Sequence, residues 1–167
     1  DEQSSKFLPS ANAGDTLVAW ALSEPSSGSD AADMQTTAVR QDSDSYLING
    51  SKIFITNAEE SGLIVVFVAT DRTAGHRGTT AFVVNSDSKG ITMKGMHGKL
   101  GIRGSGTAQI DFDNVEVPLS NRLGEEGEGF KIAMTILDSS RISLSSQSVG
   151  IAQGAFEAAI KYTQQRE

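Results

Sequence analysis

The sequence predicts a mainly β fold, a sandwich or barrel of about eight short strands, followed by one long α-helix. From residue 17 to residue 118, short runs rich in Val, Ile, Phe and Thr recur between turn signals, with no helical pattern between them. From residue 128 onwards no proline interrupts the chain, and apolar residues recur at helical spacing. The first observation predicts the β part, and the second predicts the helix.

The predicted strands are defined by their apolar runs. They comprise residues 36–41, 46–49, 52–56, 63–69, 80–84, 91–93, 108–112 and 115–117. Asn49 and Gly50 lie between two of these runs, and since both residues tolerate positive φ, the pair predicts a hairpin. Residues 63–69 are apolar throughout, which predicts a central strand covered on both faces.

Three segments of different composition suggest the domain organisation. Residues 1–16 are polar and punctuated by Gly, Ser and Pro, which indicates a linker or the tail of an upstream helical domain. Residues 17–126 form the predicted β-domain, and residues 127–167 begin a helical domain. Residues 124–129, which span the boundary between the two, are interpreted as a flexible acidic loop that favours the helix start through the helix dipole. Because both ends look cut, we expect the chain to be a piece of a longer polypeptide.

Composition excludes several function classes. The 167 residues include 38% hydrophobic residues, enough for a core, and carry a net charge of −7 without a Lys/Arg cluster, which argues against nucleic-acid binding. There is no cysteine, and His76 and His97 lack ligand-like spacing, so we expect loop histidines and no metal site. Residues 63–69 form the longest apolar run, too short to span a bilayer, and no signal pattern is present. The chain is expected to be soluble and intracellular.

Two further patterns leave alternatives open. The Gly-rich residues 98–106 lack a Walker pattern, and form either a plain loop or a backbone close to a ligand with Arg103 as an anion partner. Asp138 and Arg141 are three residues apart on the predicted helix, the spacing of a surface ion pair or of a functional pair. Residues 124–129 precede a helix without a surrounding Rossmann unit, and no Ser-His-Asp set can be assembled.

Two strand ends carry small polar groups. The apolar run at Trp20 stops at a loop of Pro, Ser, Gly and Asp that reaches Asp30. Such a loop is either a structural turn or part of a pocket for a cofactor or phosphate-bearing ligand. A second run, residues 52–57, delivers an aromatic ring and a hydroxyl group before another turn, which favours the pocket.

In this order, these stretches resemble the acyl-CoA dehydrogenase family. Residues 19–25 and 28–30 are similar to the family's first signature, and residues 52–57 to its aromatic-Ile-Thr strand. The similarity continues through residues 100–105, 117–118, 123–124, 127, 129–130, 137–141 and 150–152. It covers residues 17–167 and is greatest for the short-chain, butyryl-CoA branch.

The resemblance implies an α-β-α three-domain enzyme, of which this chain is the middle β-domain and the following helix. It implies FAD as cofactor, dehydrogenation of a short-chain acyl-CoA to the trans-2-enoyl-CoA, an electron-transferring flavoprotein as partner, and a homotetramer. The implied cofactor-binding residues are Trp20, Leu22, Ser23, Gly28, Ser29, Phe54, Ile55 and Thr56. The implied substrate-binding residues are Ser29, Phe130, Asp138 and Arg141.

Within that set, the resemblance places Thr56 near flavin N5 and Phe54 against the flavin face away from substrate. Many members carry Trp at the position of Phe54, so this chain keeps an apolar face but lacks the indole donor. The catalytic carboxylate of the short- and medium-chain branches lies in a C-terminal helical domain. The position used by the isovaleryl and long-chain branches is Ser140 here. No catalytic base is therefore expected in this chain, and the chain alone is expected to be inactive.

Two other functions remain as alternatives. One is a non-catalytic module that binds flavin or CoA, and the other is an assembly protein that pairs through the long helix. The second is disfavoured because residues 139–148 are too polar for a coiled-coil seam. The resemblance implies the cytoplasm if the source is bacterial and the mitochondrial matrix if it is eukaryotic.

Overall fold

A computed structural model of the chain describes residues 2–41 and 44–167, which divide into two units. The first unit extends to Phe130, and the second from Lys131 to Glu167. The helices are α1 (Glu2–Ala13) and α2 (Gly129–Gln165), with 3₁₀ segments at Arg72–Gly78 and Leu119–Asn121. The strands are β1 (Leu17–Ala21), β2 (Thr37–Gln41), β3 (Ser45–Thr56), β4 (Ser61–Ala69), β5 (Thr79–Asn85), β6 (Ile91–Gly95), β7 (Thr107–Pro118) and β8 (Arg122–Leu123). Neither described α-helix is both long and apolar enough to cross a membrane.

The strands form one mixed eight-stranded sheet, which confirms the prediction of a mainly β fold followed by a long helix. The strand order is β6-β7-β3-β2-β4-β5-β8, and β1 pairs with β4. Most pairs are antiparallel, but β1 and β2 each pair with β4 in parallel. The predicted central strand is confirmed in β4, where Ile64, Val66, Phe67 and Val68 are fully buried.

The hairpin predicted at Asn49 and Gly50 was wrong. Strand β3 runs through both residues, and its pairing with β7 shifts register between Ile48 and Gly50. Gly50 has a φ of 141°, and a Cβ built on it would lie 2.6 Å from the Thr36 Cα. Glycine is therefore required here for the positive φ and the close approach of the Thr36 backbone, and not for a turn.

Strand β7 corrects the prediction in the same way. The two runs predicted at residues 108–112 and 115–117 form one strand that continues past Asn114, which has a φ of 50°. Asn114 tolerates the left-handed region better than most residues, so the chain bends there without ending the strand. The predicted strand boundary was a local distortion within a longer strand.

Most of residues 1–16, interpreted above as a linker or the tail of an upstream helical domain, form helix α1. Helix α1 is attached to the 3₁₀ segment before β8. The Gln3 side chain donates to the Ser120 carbonyl oxygen at 2.9 Å, and the Lys6 ammonium donates to Asn121 Oδ1 at 3.0 Å. Asn121 is buried and donates in turn to the Val83 carbonyl oxygen at 2.9 Å.

The acidic loop before α2 is held in place, contrary to the predicted flexibility. The Tyr46 hydroxyl donates to Glu126 at 2.8 Å, and the Gly127 amide donates to the Thr80 hydroxyl at 3.0 Å. Tyr46 is itself buried, and burial, followed by its bond to Glu126, raises its pKa. Helix α2 then continues without interruption for 37 residues, about 55 Å, as predicted.

Candidate functional site

Two sequence-distant segments meet where β1 ends. The Ile53 amide donates to the Ser23 carbonyl oxygen at 2.9 Å, and the Lys52 ammonium donates to the Leu22 carbonyl oxygen at 3.0 Å. The local cause is a bulge in β3. Lys52 and Ile55 pair with Ile110 and Ala108, so two β3 residues lie opposite one residue of β7. The bulge leaves the Ile53 amide free of the β7 ladder to bind the first segment.

Phe54 is presented to the surface by this bulge. Its φ is 60°, a left-handed conformation that is uncommon for a bulky residue, and its side chain is 64% exposed. Such strain costs of the order of 1–3 kcal/mol and clusters at functional sites. Ile55 returns to the core at 2% exposure, so its side chain is not available to a ligand at the surface. Thr56 is exposed again at the end of the strand.

The first segment contributes a half-buried surface beside Phe54. The Trp20 ring packs on Phe67 with centroids 4.5 Å apart, and Leu22 and Ser23 are half-buried. Among the described residues, neither the Ser23 hydroxyl nor the Thr56 hydroxyl has a hydrogen-bond partner. Both groups are therefore available to a ligand.

The loop after Ser23 is closed by reciprocal main-chain bonds. The Glu24 amide donates to the Ser27 carbonyl oxygen at 2.8 Å, and the Ser27 amide donates back at 3.2 Å. The Ser27 hydroxyl donates to the Asp30 carbonyl oxygen. Gly28 and Ser29 are exposed on this loop, and a Cβ on Gly28 would meet no described atom within 4 Å. The loop thus leaves open space beside its small residues.

A buried ion pair lies under the site. The Lys52 ammonium is 2.8 Å from Glu24 Oε1, and both side chains are excluded from solvent. Glu24 also accepts the Gln35 amide at 2.5 Å and the Thr36 amide at 3.0 Å. Burial lowers the pKa of Lys52, against the attraction of Glu24. Burial alone would raise the pKa of Glu24, but the Lys52 charge and the hydrogen bonds together hold it below its ordinary value.

Glu24 and Lys52 lie within the two motifs of the resemblance, but the sequence predicted no role for either residue. A signal was present for Lys52, because it lies at the same two-residue spacing as the inward-facing Tyr46 and Ile48, and a lysine that faces inward needs a partner. The identity of that partner depended on the three-dimensional approach of β1 to β3, which periodicity does not provide.

The remaining residues predicted to bind substrate are distant in sequence from the two segments that meet at the end of β1. Phe130 packs on the exposed His76, with ring centroids 5.6 Å apart. Asp138 and Arg141 belong to the second unit, where both are exposed on α2. No ion pair within 4.0 Å joins these two described side chains, so the surface ion pair considered above does not form.

The Gly-rich loop of residues 98–106 lies next to the end of β3. The Asn57 amide donates to the Gly106 carbonyl oxygen at 2.9 Å, and the Ser105 hydroxyl donates to Asn57 Oδ1 at 2.8 Å. The loop, through Arg103 and its neighbours, borders a cavity of about 590 Å³ that is also lined by Glu59 and Glu60. Charges of both signs therefore face this cavity, which leaves both interpretations of the loop open.

The chemistry of the site suits a flat, conjugated ligand with polar edges. Phe54 provides an exposed aromatic face, and Ser23 and Thr56 provide unengaged hydroxyl groups at the ends of two neighbouring segments. In the described residues, no group of three or more His, Cys, Asp or Glu side chains could hold a metal ion. The donor set fits the isoalloxazine of FAD, with hydroxyl and main-chain groups for its edge and an apolar ring for its face.

Family models match most of the chain. Residues 19–115 match the acyl-CoA dehydrogenase middle domain, and residues 127–167 match the C-terminal domain of the same family. The human mitochondrial short-chain specific acyl-CoA dehydrogenase is 45% identical over 99% of this chain and 40% of its own length.

Two solved structures agree closely with the fold. Butyryl-CoA dehydrogenase from Megasphaera elsdenii superimposes with a TM-score of 0.95 at 44% identity, over 99% of this chain and 43% of that one. A structure concerning the electron-transferring flavoprotein of Acidaminococcus fermentans and flavin-based electron bifurcation contains a chain with a TM-score of 0.94 at 46% identity, over 99% and 43% respectively.

The chain spans about two fifths of the length of these relatives. Within that span the family models follow each other in the same order as the β-sheet and the long helix. The two motifs that carried the resemblance also meet in space at the bulge of β3. The chain belongs to the acyl-CoA dehydrogenase family, whose members are FAD-dependent oxidoreductases.

Proposed function

We propose that this chain supplies the flavin-facing β-domain of an acyl-CoA dehydrogenase. The observation that carries the proposal is the bond between Ile53 and Ser23, which brings the exposed Phe54 ring beside the first signature. Trp20, Leu22, Ser23 and the main chain of Ile55 would hold FAD together with Phe54 and Thr56. Gly28 and Ser29 would border it from the adjoining loop.

The proposed reaction is the dehydrogenation of a short-chain acyl-CoA to the trans-2-enoyl-CoA. When bound, FAD accepts the hydride equivalent from the β-carbon of the substrate. The residues of this chain bind and orient: Ser29, Phe130, Asp138 and Arg141 are assigned to the acyl-CoA. The α-proton requires a carboxylate base, and we assign none in this chain because Ser140 occupies the alternative position.

The proposed short-chain preference is supported by the human and Megasphaera elsdenii relatives, whose names specify short-chain and butyryl-CoA substrates. An electron-transferring flavoprotein as partner is supported by the Acidaminococcus fermentans structure. A homotetramer is proposed because it is typical of the family. The proposed location is the mitochondrial matrix for a eukaryotic source, as for the human relative, and the cytoplasm for a bacterial one.

Anaerobic mixing of the flavin-loaded enzyme with butyryl-CoA, and separately with octanoyl-CoA and palmitoyl-CoA, tests this function. The expected result is rapid loss of the oxidised flavin absorbance with butyryl-CoA and much slower loss with the longer substrates. Bleaching with a longer substrate alone would contradict the short-chain preference. Bound flavin that no acyl-CoA reduces would favour the non-catalytic binding module instead.

A further inference from the structure

We infer that Lys52 is a positioning residue, which acts with Glu24 to fix the two flavin-facing segments relative to each other. The inference rests on the proposed function, since it concerns the geometry of the same flavin site. Lys52 itself is fully buried beneath that site and has no place among the residues that would touch the flavin.

The Lys52 ammonium joins the two segments directly. It lies on β3, two residues before Phe54, and donates to the Leu22 carbonyl oxygen at 3.0 Å. The Leu22 main chain is thereby held at one distance from the bulge that presents Phe54. The neighbouring bond from the Ile53 amide to the Ser23 carbonyl oxygen, at 2.9 Å, completes a two-point connection.

Glu24 extends this connection to a third segment. Its carboxylate binds Lys52 at 2.8 Å and accepts the Gln35 and Thr36 amides, which lead into β2. The loop of residues 25–34 therefore begins and ends on one buried carboxylate. Because the loop carries Gly28 and Ser29, its anchoring also sets the position of the outer edge of the site.

Stability alone does not account for this arrangement. Removing two charges from water is costly, and well-packed apolar residues are often as stable as a buried ion pair. The pair instead provides geometric specificity, because charged donors and acceptors hold main-chain groups at fixed distances. The pair contacts main-chain groups of two segments, Leu22 at the end of β1 and residues 35–36 before β2, and it links both to β3, which carries Lys52.

The test compares Lys52→Met with Lys94→Met in the flavin-loaded enzyme at saturating FAD. Lys94 forms an exposed ion pair with Asp111 at 3.6 Å and controls for the loss of one positive charge. For Lys52→Met we expect a shifted visible flavin spectrum and a kcat lowered about tenfold or more, because a 1 Å displacement can cost about 100-fold. The KM for butyryl-CoA should change far less, and Lys94→Met should match the unsubstituted enzyme.

The Lys52→Met enzyme could instead have a lower unfolding temperature but the same flavin spectrum and kcat as the unsubstituted enzyme. That result would show that Lys52 has only a structural role. Should Lys52→Met fail to fold, Glu24→Gln decides by the same readouts, because it removes the charge that holds the Lys52 ammonium in place beside the Leu22 carbonyl oxygen. Unaltered flavin properties in Glu24→Gln would then overturn the inference. An unsubstituted enzyme that holds no FAD would instead contradict the proposed function itself.

Discussion

At the scale of single residues, the conformation of Phe54 is the clearest sign of function. A bulky side chain in the left-handed region, 64% exposed, is unfavourable both for the backbone and for solvation. The bulge of β3 imposes this conformation, and the same bulge releases the Ile53 amide to bind Ser23. The strain is therefore coupled to the assembly of the proposed flavin site.

Phe54→Gly should separate the backbone strain from the binding role. Removing about 1–3 kcal/mol of strain, against about 1 kcal/mol of added chain entropy, should leave the flavin-free protein equally or more stable. FAD affinity should fall about tenfold through loss of the aromatic contact. Thermal unfolding and fluorescence titration measure the two effects, with Val39→Ala as an exposed control on β2. A less stable protein with unchanged FAD affinity would argue against the assigned role.

Thr56 offers a test of a single hydroxyl group. Thr56→Val keeps the β-branched shape at the end of β3 but removes the hydroxyl, whereas Thr56→Ser keeps the hydroxyl. Loss of one hydrogen bond of about 1–1.5 kcal/mol should lower kcat or FAD affinity about tenfold in Thr56→Val. Thr56→Ser should remain close to the unsubstituted enzyme. Equal behaviour of the two variants would remove Thr56 from the site.

Glu24 predicts a pH dependence of stability. The pKa of Glu24 in the folded chain is below the ordinary value of 4.5. The contribution of the ionised carboxylate to the free energy of unfolding is therefore complete at pH values above 4.5. The contribution is lost as pH falls through the lower, folded-state pKa. The difference in free energy of unfolding between the unsubstituted protein and Glu24→Gln should therefore narrow under acid conditions. Denaturant unfolding over a pH series measures this difference in free energy. Glu116→Gln, at an exposed position on β7, is the control for the loss of one negative charge. A constant or widening difference would be inconsistent with the lowered pKa.

At the scale of elements, Gly50 tests whether the close approach of β3 to Thr36 requires a residue without a side chain. In Gly50→Ala, the new methyl group would meet Thr36 and occupy an unfavourable φ, so we expect a loss of about 2–3 kcal/mol of stability. Gly101→Ala is the matched control, because a Cβ there meets no described atom within 4 Å, and should change stability by about 0.5 kcal/mol or less. Equal unfolding free energies for the two variants would show that β3 adapts to the methyl group.

The elements differ in how far the sequence predicted them. Strand β4 and helix α2 were predicted correctly because a continuous apolar run and an uninterrupted helical period are strong local signals. The hairpin prediction at Asn49 and Gly50 failed because the positive-φ tolerance that favours a turn also suits a strand position where another backbone comes close. Only the pairing of β3 with β7 along its whole length distinguishes the two, and that pairing is not local.

At the scale of the whole molecule, the sequence predicted the mainly β class but not the sheet order. Parallel pairing of β1 and β2 with β4 joins strands that are distant in the chain, and no turn signal encodes it. The residues of the candidate site could be proposed from their sequence motifs, whereas the Lys52–Glu24 ion pair could not be predicted from the sequence. A buried ion pair depends on which strand ends approach each other, and that is a property of the completed fold.

A crystal structure of the flavin-loaded enzyme is the most direct test of the flavin site. The isoalloxazine ring is expected against the Phe54 ring, within hydrogen-bond distance of the Ser23 and Thr56 hydroxyl groups. The Leu22 carbonyl oxygen should remain bound to Lys52. A flavin bound elsewhere, for example in the cavity beside Arg103, with Phe54 left uncovered, would contradict the proposed site.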